Sequence, residues 1–228
     1  MLLQTKIQRR CMIVLTLGCL SFQCSLILAA SSRSIVSVNS ADQNGDTPLM
    51  VAVTSKNMES VNALIAAGAN VNAKSKDGFT PLLLAPNADS VWALITAGAN
   101  VNEAGANGDT PLMVAIVGKD LEVFKALIAK GANVNTKSKD GFTPLLLAPN
   151  ADYVRALIAA GVNVNKAGVN GDSPLMVAIV GKDIESFKAL IAAGANPNAR
   201  SKDGYTPLLL APNAFYTEAL IAAGAKAK

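Results

Sequence analysis

The sequence predicts an all-α fold in which pairs of helices stack side by side as an α-solenoid. Three observations predict it. The tripeptide Thr/Ser-Pro-Leu occurs six times, and the positions of its prolines divide the chain into alternating 33- and 30-residue units. The stretch KSKDGFTPLLLAPNAD begins at Lys74, returns unchanged at Lys137 and returns with three substitutions at Arg200, so its three starts are evenly spaced. Every unit also closes with a glycine followed by alanine or valine. Such a period is typical of stacked repeats, because one helix pair cannot bury its apolar face alone.

The segment 1–31 predicts an export signal. Lys6, Arg9 and Arg10 precede residues 11–32, which carry no charge, and the small residues at 29–31 suit cleavage by signal peptidase. The uncharged stretch at 11–32 is also long enough to span a bilayer. A cleaved signal peptide is therefore the expectation for residues 1–31, and an uncleaved anchor is the alternative.

Either outcome predicts that the repeats lie outside the cytoplasm, since the positive flank of such a segment stays on the cytoplasmic side. We expect a periplasmic or secreted protein, or otherwise one anchored with its repeats outside. The only three cysteines, Cys11, Cys19 and Cys24, fall in the leader. A body without thiols is compatible with an oxidising compartment. Apolar sequence continues beyond Cys19 and Cys24, which disfavours a lipid-modified cysteine.

The charge balance disfavours a nucleic-acid partner. The formal net charge of +4 includes the three basic residues of the leader, which leaves 17 Lys and Arg against 16 Asp and Glu in the body. A nearly neutral body has no net field that would attract nucleic acid or an anionic membrane. We expect contact with a membrane only if the leader is uncleaved.

The composition also argues against catalysis. The chain contains no histidine, so it lacks the usual general base near neutral pH and the commonest nitrogen ligand of metals. Its carboxylates are spread singly over the repeats, and no motif selects a pair of them. The segment DQNGD at Asp42 begins like a calcium loop, but Gly45 comes too early and no glutamate follows at the required place. We expect neither an enzyme nor a site for a cofactor or metal.

After a short linker at 32–41, residues 42–228 are predicted to form one domain of six repeats, arranged as three 63-residue tandem pairs. The third repeat illustrates the elements in order. The dipeptide at 107–108, Asn-Gly, predicts a tight turn that accepts positive φ. Thr110 is predicted to cap a first helix that begins at Pro111, where a missing N–H costs nothing. In this short helix Leu112 and Ala115 lie three residues apart and mark its inner face.

A second helix follows in the same repeat, and its apolar residues recur at spacings of three and four. Gly131 is predicted to end this helix in a left-handed conformation. The predicted buried stripe consists of Val123, Phe124, Leu127 and Ile128.

The even-numbered repeats are three residues shorter than the odd-numbered ones. Three residues are close to one helical turn, so the buried stripe survives the deletion. A proline should end the first helix of each short repeat after about one and a half turns, and the next asparagine should cap the second helix. We therefore predict alternating long and short inner helices and a groove with a stepped floor. The residues concerned are Pro86, Pro149 and Pro212, followed by Asn87, Asn150 and Asn213.

The motifs Gly-x-Thr-Pro-Leu, a central alanine, Leu-Ile and Gly-Ala-Asn-x-Asn recur in nearly every unit from about Asp42 to Lys228. These units resemble ankyrin repeats. The resemblance implies a β-turn finger and an antiparallel helix pair in each repeat, curved into a concave groove, and binding of other proteins through fingertips and inner helices. The family usually has histidine after Thr-Pro-Leu, where this sequence has methionine or leucine, as at Met50 and Leu83. That substitution predicts an apolar contact in place of a polar one.

We therefore expect a non-catalytic, exported protein–protein interaction module that binds another protein through its concave groove and fingertips. An exposed aromatic beside a cation is a good interface anchor, although the aromatics could instead pack sideways onto neighbouring turns. The candidate partner-binding residues of the even fingertips are Lys76 with Phe79, Lys139 with Phe142, and Lys202 with Tyr205. Those of the odd fingertips are Asp46, Asp109 and Asp172.

Other residues receive structural predictions. The asparagines that close each repeat, such as Asn70 and Asn72, should make local backbone hydrogen bonds. Trp92, Tyr153 and Tyr216 should lie on the convex or lateral surface and serve packing. The last repeat lacks a polar cap, which predicts weak self-association through end faces. The alternative function is a membrane-tethered structural scaffold that retains its leader as an anchor.

Overall fold

The computed structural model describes residues 37–226, so the predicted signal sequence and the first half of the linker lie outside the described residues. Within that range the chain forms twelve helices and no strand, which confirms the all-α prediction. The chain divides into two compact units after Gly131. Each unit contains three repeats, and each repeat contributes a first and a second helix. That residues 42–228 form a single domain stays a prediction.

The first unit contains α1 (Pro48–Thr54), α2 (Met58–Ala66), α3 (Pro81–Leu84), α4 (Ala88–Thr96), α5 (Pro111–Gly118) and α6 (Leu121–Ala129). The second unit contains α7 (Pro144–Leu147), α8 (Ala151–Ala159), α9 (Pro174–Val180), α10 (Ile184–Ala192), α11 (Pro207–Leu210) and α12 (Ala214–Ala222). Within each unit, consecutive first helices pack on one another and so do consecutive second helices, as in α1 on α3 and α8 on α10. These are the stacked helix pairs of an α-solenoid, the arrangement that the resemblance to ankyrin repeats implies.

Each first helix begins as the sequence predicts. A threonine or serine in an extended conformation is the N-cap, and proline occupies the first helical position. In the third repeat the Thr110 hydroxyl accepts a hydrogen bond from the Met113 N–H at 3.4 Å. The cap satisfies one of the N–H groups that the first turn leaves without a helical partner.

The first helices alternate in length as predicted. Those of the odd repeats have seven or eight residues and those of the even repeats have four. The short helices end after about one turn rather than one and a half, because the alanine before the proline also leaves the helical conformation. This alanine has a ψ of 119° at Ala85, 122° at Ala148 and 118° at Ala211.

The second helices are uniform, with nine residues each. Asn or Asp caps each of them, and a left-handed glycine follows each, such as Gly131 with a φ of 83°. In α6 the predicted stripe is buried at Val123, Phe124 and Leu127, and Ile128 is half-buried. The core of each repeat therefore lies between its two helices.

The methionine that replaces the family's histidine still makes a polar contact. The Thr47 N–H donates to the Met50 sulfur at 3.5 Å, while the Thr47 hydroxyl accepts from the Met50 N–H at 3.3 Å. Ser173 and Met176 form the same reciprocal pair. The expected change to a purely apolar contact is therefore wrong for these two methionines, because sulfur is a weak hydrogen-bond acceptor.

Among residues 37–226, none of the helices combines the length and the hydrophobicity that a bilayer crossing requires.

Candidate functional site

Six five-residue loops, called fingers below, precede the first helices. They comprise residues 42–46, 75–79 and 105–109 in the first unit and 138–142, 168–172 and 201–205 in the second. Two backbone hydrogen bonds close each finger. In the second finger the Ser75 N–H donates to the Phe79 carbonyl and the Gly78 N–H donates to the Ser75 carbonyl, both at 2.9 Å. Gly78 has a φ of 79°, a conformation that favours glycine.

A buried side chain fixes each even finger further. The hydroxyl of Ser75, which is 8% exposed, accepts a hydrogen bond from the Phe79 N–H at 3.1 Å. Ser138 and Ser201 repeat this bond at the same distance. In the first finger the Asp42 carboxylate fixes the loop in a similar way. It accepts hydrogen bonds from two N–H groups of its own loop, at 2.8 and 2.9 Å. The finger backbones are therefore closed by several bonds.

One pair of neighbouring fingers in each unit is also hydrogen-bonded, the first and second fingers in one unit and the fifth and sixth in the other. The Lys76 N–H donates to the Asn44 carbonyl at 2.9 Å in the first unit, and the Lys202 N–H donates to the Asn170 carbonyl at 2.8 Å in the second. Each bond joins the tip of one finger to the tip of the one before it. The side chains at these tips therefore project from a backbone that the preceding repeat holds.

An asparagine three residues before each finger, called an asparagine bridge below, joins the segment that precedes a repeat to the end of that repeat. Asn72 accepts from the Asn100 N–H at 2.8 Å and donates through Nδ2 to the Gly98 carbonyl at 3.1 Å. The sequence predicted only local bonds for these asparagines. Their partners lie 26 to 31 residues away, so the cross-repeat role is visible only in the structure. The bridges are Asn39, Asn72, Asn102, Asn135, Asn165 and Asn198.

The fingertip lysines predicted to bind a partner are exposed. The side chains of Lys76, Lys139 and Lys202 form no hydrogen bond or ion pair with any residue that the structure describes. Lys74 differs, because it forms an ion pair with Glu103 of the next repeat. The hydrogen bond and charge of Lys74 hold the pKa of Glu103 below its usual value. Lys76, Lys139 and Lys202 are therefore finger cations that a partner can reach.

The fingertip aromatics differ in exposure. Tyr205 is 52% exposed, whereas Phe79 and Phe142 are half-buried. An exposed ring at Tyr205 suits the interface-anchor interpretation best, and the two phenylalanines combine packing with partial exposure. The anchor role of all three stays a prediction.

The fingertip acids are half-buried and lie at the base of the odd fingers. They are Asp46, Asp109 and Asp172. Burial raises the pKa of Asp46, and the nearby carboxylates of Asp42 and Asp77 raise it further. Less of each acid is therefore presented to a partner than of the neighbouring lysines.

The fifth repeat exposes apolar side chains that the sequence did not single out. Val169 is 49% exposed at the tip of its finger, and Val177 and Val180 are 42% and 65% exposed on α9. A Cβ built on Gly141 would lie 3.0 Å from the Val169 nitrogen, so Val169 sits directly against the finger at 138–142. The only sequence signal for this patch is a valine where the third repeat has Ala106.

The three aromatics that were expected on the convex or lateral surface divide by their position in the second helix, and that expectation is wrong for two of them. Tyr153 and Tyr216, at the third helical position, are 3% and 1% exposed, so they pack in the core. Trp92, at the fifth position, is 42% exposed. It lines a shallow apolar groove between α2 and α4, and the Lys130 ammonium lies 5.6 Å from its ring centroid. Trp92 is therefore an exposed aromatic on the second helices rather than on the fingers, as is Phe215 at the same 42% exposure.

Acidic groups do not gather into a metal site in the described part of the chain, where no three or more potential ligands lie together.

The comparisons with known proteins agree with this geometry. The family model described as "Ankyrin repeats (3 copies)" matches residues 21–104, 86–167 and 120–201. No curated protein matches the chain. A similar solved structure is the ankyrin repeat domain of Bcl-3, described as a unique member of the IkappaB protein family. It superposes with a TM-score of 0.73 and 25% sequence identity, over 81% of this chain and 86% of that one. Because the family model covers most of the sequence, the chain belongs to the ankyrin-repeat family.

Proposed function

We propose that this chain is a non-catalytic binding module whose fingers hold a partner protein. Ankyrin repeats are generally protein–protein interaction modules. The observation that carries the proposal is the combination of bonded finger backbones with exposed tip side chains. Lys76 and Lys202 each donate a backbone bond to the preceding finger while their side chains remain exposed.

Bonded fingers lower the entropic cost of binding. Ordering a flexible loop on association opposes affinity, and a loop that is already fixed avoids most of that cost. Only the lysine and aromatic side chains then lose freedom when a partner binds. Such a surface resembles the rigid scaffold with variable tips on which binding residues are usually found.

The second unit presents the better anchor chemistry. Its fingers expose Val169 and Tyr205, at 49% and 52%. The exposed Lys202 lies in the same finger as Tyr205, and the exposed Lys139 lies in the finger before that of Val169. Aromatic and apolar side chains exclude water at the centre of an interface, and cations favour acidic groups at its rim. We therefore propose a partner surface that offers an apolar side chain next to Asp or Glu.

The test is the triple variant Phe79→Ala, Phe142→Ala and Tyr205→Ala. The partner would be recovered with the wild-type protein by chemical crosslinking in the exported fraction, and its affinity for each variant would be measured by calorimetry. We expect the triple variant to bind at least about tenfold more weakly, because aromatic anchors carry much of an interface's binding free energy.

Trp92→Ala is the matched control, because it removes an exposed aromatic from the second helices and leaves the fingers intact. It should bind with wild-type affinity. A thermal melt of each variant separates loss of binding from loss of fold, since Phe79 and Phe142 are half-buried. Wild-type affinity in the triple variant would refute the finger mechanism, and weakened binding in Trp92→Ala alone would move the interface to the groove on the second helices.

We also propose that the repeats act outside the cytoplasm. The support is the basic start and the uncharged stretch of the segment 1–31. N-terminal sequencing of the protein from cells tests this. A start near Ser31 or Ser32 supports a released module, and an intact leader in the membrane fraction supports the tethered scaffold. An intact leader on a protein in the cytosol would contradict both.

A further inference from the structure

One face of the last described repeat is uncovered. In the second and fourth repeats, the following repeat covers the same face. Leu83, Leu146 and Leu209 occupy the same position in the second, fourth and sixth repeats. Leu83 is 7% exposed and Leu146 is half-buried, but Leu209 is 70% exposed. The cause is the next repeat: Leu83 lies 3.5 Å from the Cβ position of Gly105, and Leu146 lies 3.4 Å from that of Gly168. No described residue takes this place beside Leu209.

Other residues of the sixth repeat show the same change. Ile221 is 56% exposed, whereas its equivalents Ile95 and Ile158 are half-buried. The Lys137 ammonium reaches the Ala167 carbonyl of the following repeat at 3.1 Å. The equivalent Arg200 turns back and donates to the Gly204 carbonyl of its own finger at 2.9 Å. Arg200, Gly204, Leu209, Glu218 and Ile221 are called the end face below.

The first repeat has an uncovered face on its opposite side, where later repeats pack on the repeat before them. Ala63 is exposed, whereas the equivalent Ala126 is 4% exposed and Ala189 is half-buried, because each of these follows an earlier repeat of its own unit. The residues of the first repeat on this side are Ala41, Asp42, Glu59 and Ala63, called the start face below. No residue in the described range 37–226 covers Ala63.

We propose that the end face of one copy docks on the start face of a second copy, head to tail. Because the sequence repeats with each tandem pair, the end face copies the faces of the second and fourth repeats. The start face copies the faces of the third and fifth repeats that pack against them, as α3 packs on α5 and α8 on α10. The internal interface therefore occurs twice in each chain, and its two halves are presented by the last and the first repeat.

The substituted positions fit this docking. The carbonyl of Ala41 takes the place of that of Ala167, so it offers Arg200 an acceptor outside its own finger. Asp42 takes the place of Gly105, where a Cβ would be at ordinary van der Waals distance, 3.5 Å, from the leucine of the preceding repeat. The docked pair would bury Leu209 and Ile221. An interface of this kind has no two-fold symmetry and can extend to further copies.

Two features make the association weak. Arg155 of the fourth repeat lies 4.0 Å from Glu185 of the fifth, but the corresponding docked pair is Glu218 and Glu59, which repel each other. The Lys226 N–H also donates to the Asn198 side chain at 2.8 Å, in the place that Ser37 of the incoming copy would take. Docking must displace that contact.

The repulsive pair supplies the test, which is sedimentation equilibrium of the protein purified as cells accumulate it. Glu218→Arg and Glu59→Arg each replace repulsion by attraction, and each should tighten self-association about fivefold. The double variant Glu59→Arg, Glu218→Arg restores repulsion between like charges, so its association should return to about the wild-type level.

Controls separate this arrangement from others. Leu209→Lys in the Glu218→Arg background should abolish association, whereas Val180→Lys, on an exposed part of α9 away from the end face, should leave it unchanged. Tightening by Glu218→Arg but not by Glu59→Arg would show that the end face docks on a surface other than the start face and would overturn the head-to-tail proposal. Monomers in every variant would also overturn it, including the case in which residues before Ser37 cover Ala63.

Discussion

At the scale of single residues, the asparagine bridges connect repeats that are distant in sequence. Asn72 uses both ends of its amide, with Oδ1 accepting from Asn100 and Nδ2 donating to the Gly98 carbonyl. Asn135 and Asn198 make the same two bonds in the second unit. The amide group suits this position because it carries both a donor and an acceptor, whereas aspartate lacks the donor and alanine lacks both.

Asn72→Ala should therefore lower the free energy of unfolding by about 1–2 kcal/mol, because two hydrogen bonds are lost and their partners need new ones. The measurement is urea denaturation followed by circular dichroism. Asn62→Ala, at an exposed position on α2, is the control and should change stability by less than about 0.5 kcal/mol. Equal effects of the two substitutions would show that the bridge contributes nothing.

Three lysines carry backbone strain at equivalent places after the long first helices. Lys56, Lys119 and Lys182 have φ values of 56°, 57° and 54°, in the left-handed region. A Cβ in this region clashes with the neighbouring carbonyl, and glycine avoids the clash. Their side chains are exposed, so the strain is local to the backbone.

Lys119→Gly should raise the free energy of unfolding by about 0.5–1 kcal/mol, since it relieves this strain. Lys125→Gly places glycine at an exposed helical position of α6, where it should lower stability by about 1 kcal/mol. Opposite signs in urea denaturation are the expected result. Destabilisation by both would show that the lysine conformation is not strained.

At the scale of elements, the second helix of each short repeat begins at the asparagine that follows the proline. Pro86 ends α3, and Asn87 then adopts an extended conformation with a φ of −156° and begins α4. Its side chain accepts from the Ser90 N–H at 3.0 Å. The linker of three residues is as long as the one between α1 and α2, so the shorter repeat comes from a first helix of four residues in place of seven.

Removal of this cap by Asn87→Ala should lower the free energy of unfolding by about 1 kcal/mol. Asn87→Asp keeps the side-chain acceptor and should leave stability near that of the wild type. Both are measured by thermal and urea denaturation. If Asn87→Asp were as damaging as Asn87→Ala, the capping hydrogen bond would not be the reason for asparagine at this position.

At the scale of the whole molecule, the sequence was sufficient for the repeat architecture. The spacing of proline and glycine predicted where the first helices begin and where the second helices end, because those residues restrict the backbone locally. The alternation of long and short first helices followed from Pro86 and its equivalents for the same reason. Capping by Asn87 was predicted because it depends on the next three residues only.

What the sequence missed depends on contacts between repeats. The bridging bonds of Asn72, the exposure of Val169 and the pairing of Lys74 with Glu103 each involve residues of a neighbouring repeat. Trp92, Tyr153 and Tyr216 received the same prediction, although their helical positions differ. The third position buries Tyr153, and the fifth position exposes Trp92. The partner-binding role of the fingertips is still a prediction, because it requires a partner.

The central claim is that hydrogen bonds to the preceding fingers hold the second and sixth fingers in place, ready to bind. Amide hydrogen exchange followed by NMR tests it most directly, at Lys76 and Lys202, whose N–H groups donate to the preceding finger. We predict that these two amides exchange at least about a hundredfold more slowly than in an unstructured chain, while Asp77 and Asp203, whose N–H groups donate no hydrogen bond within the described range, exchange quickly. Fast exchange at Lys76 and Lys202 would contradict the account.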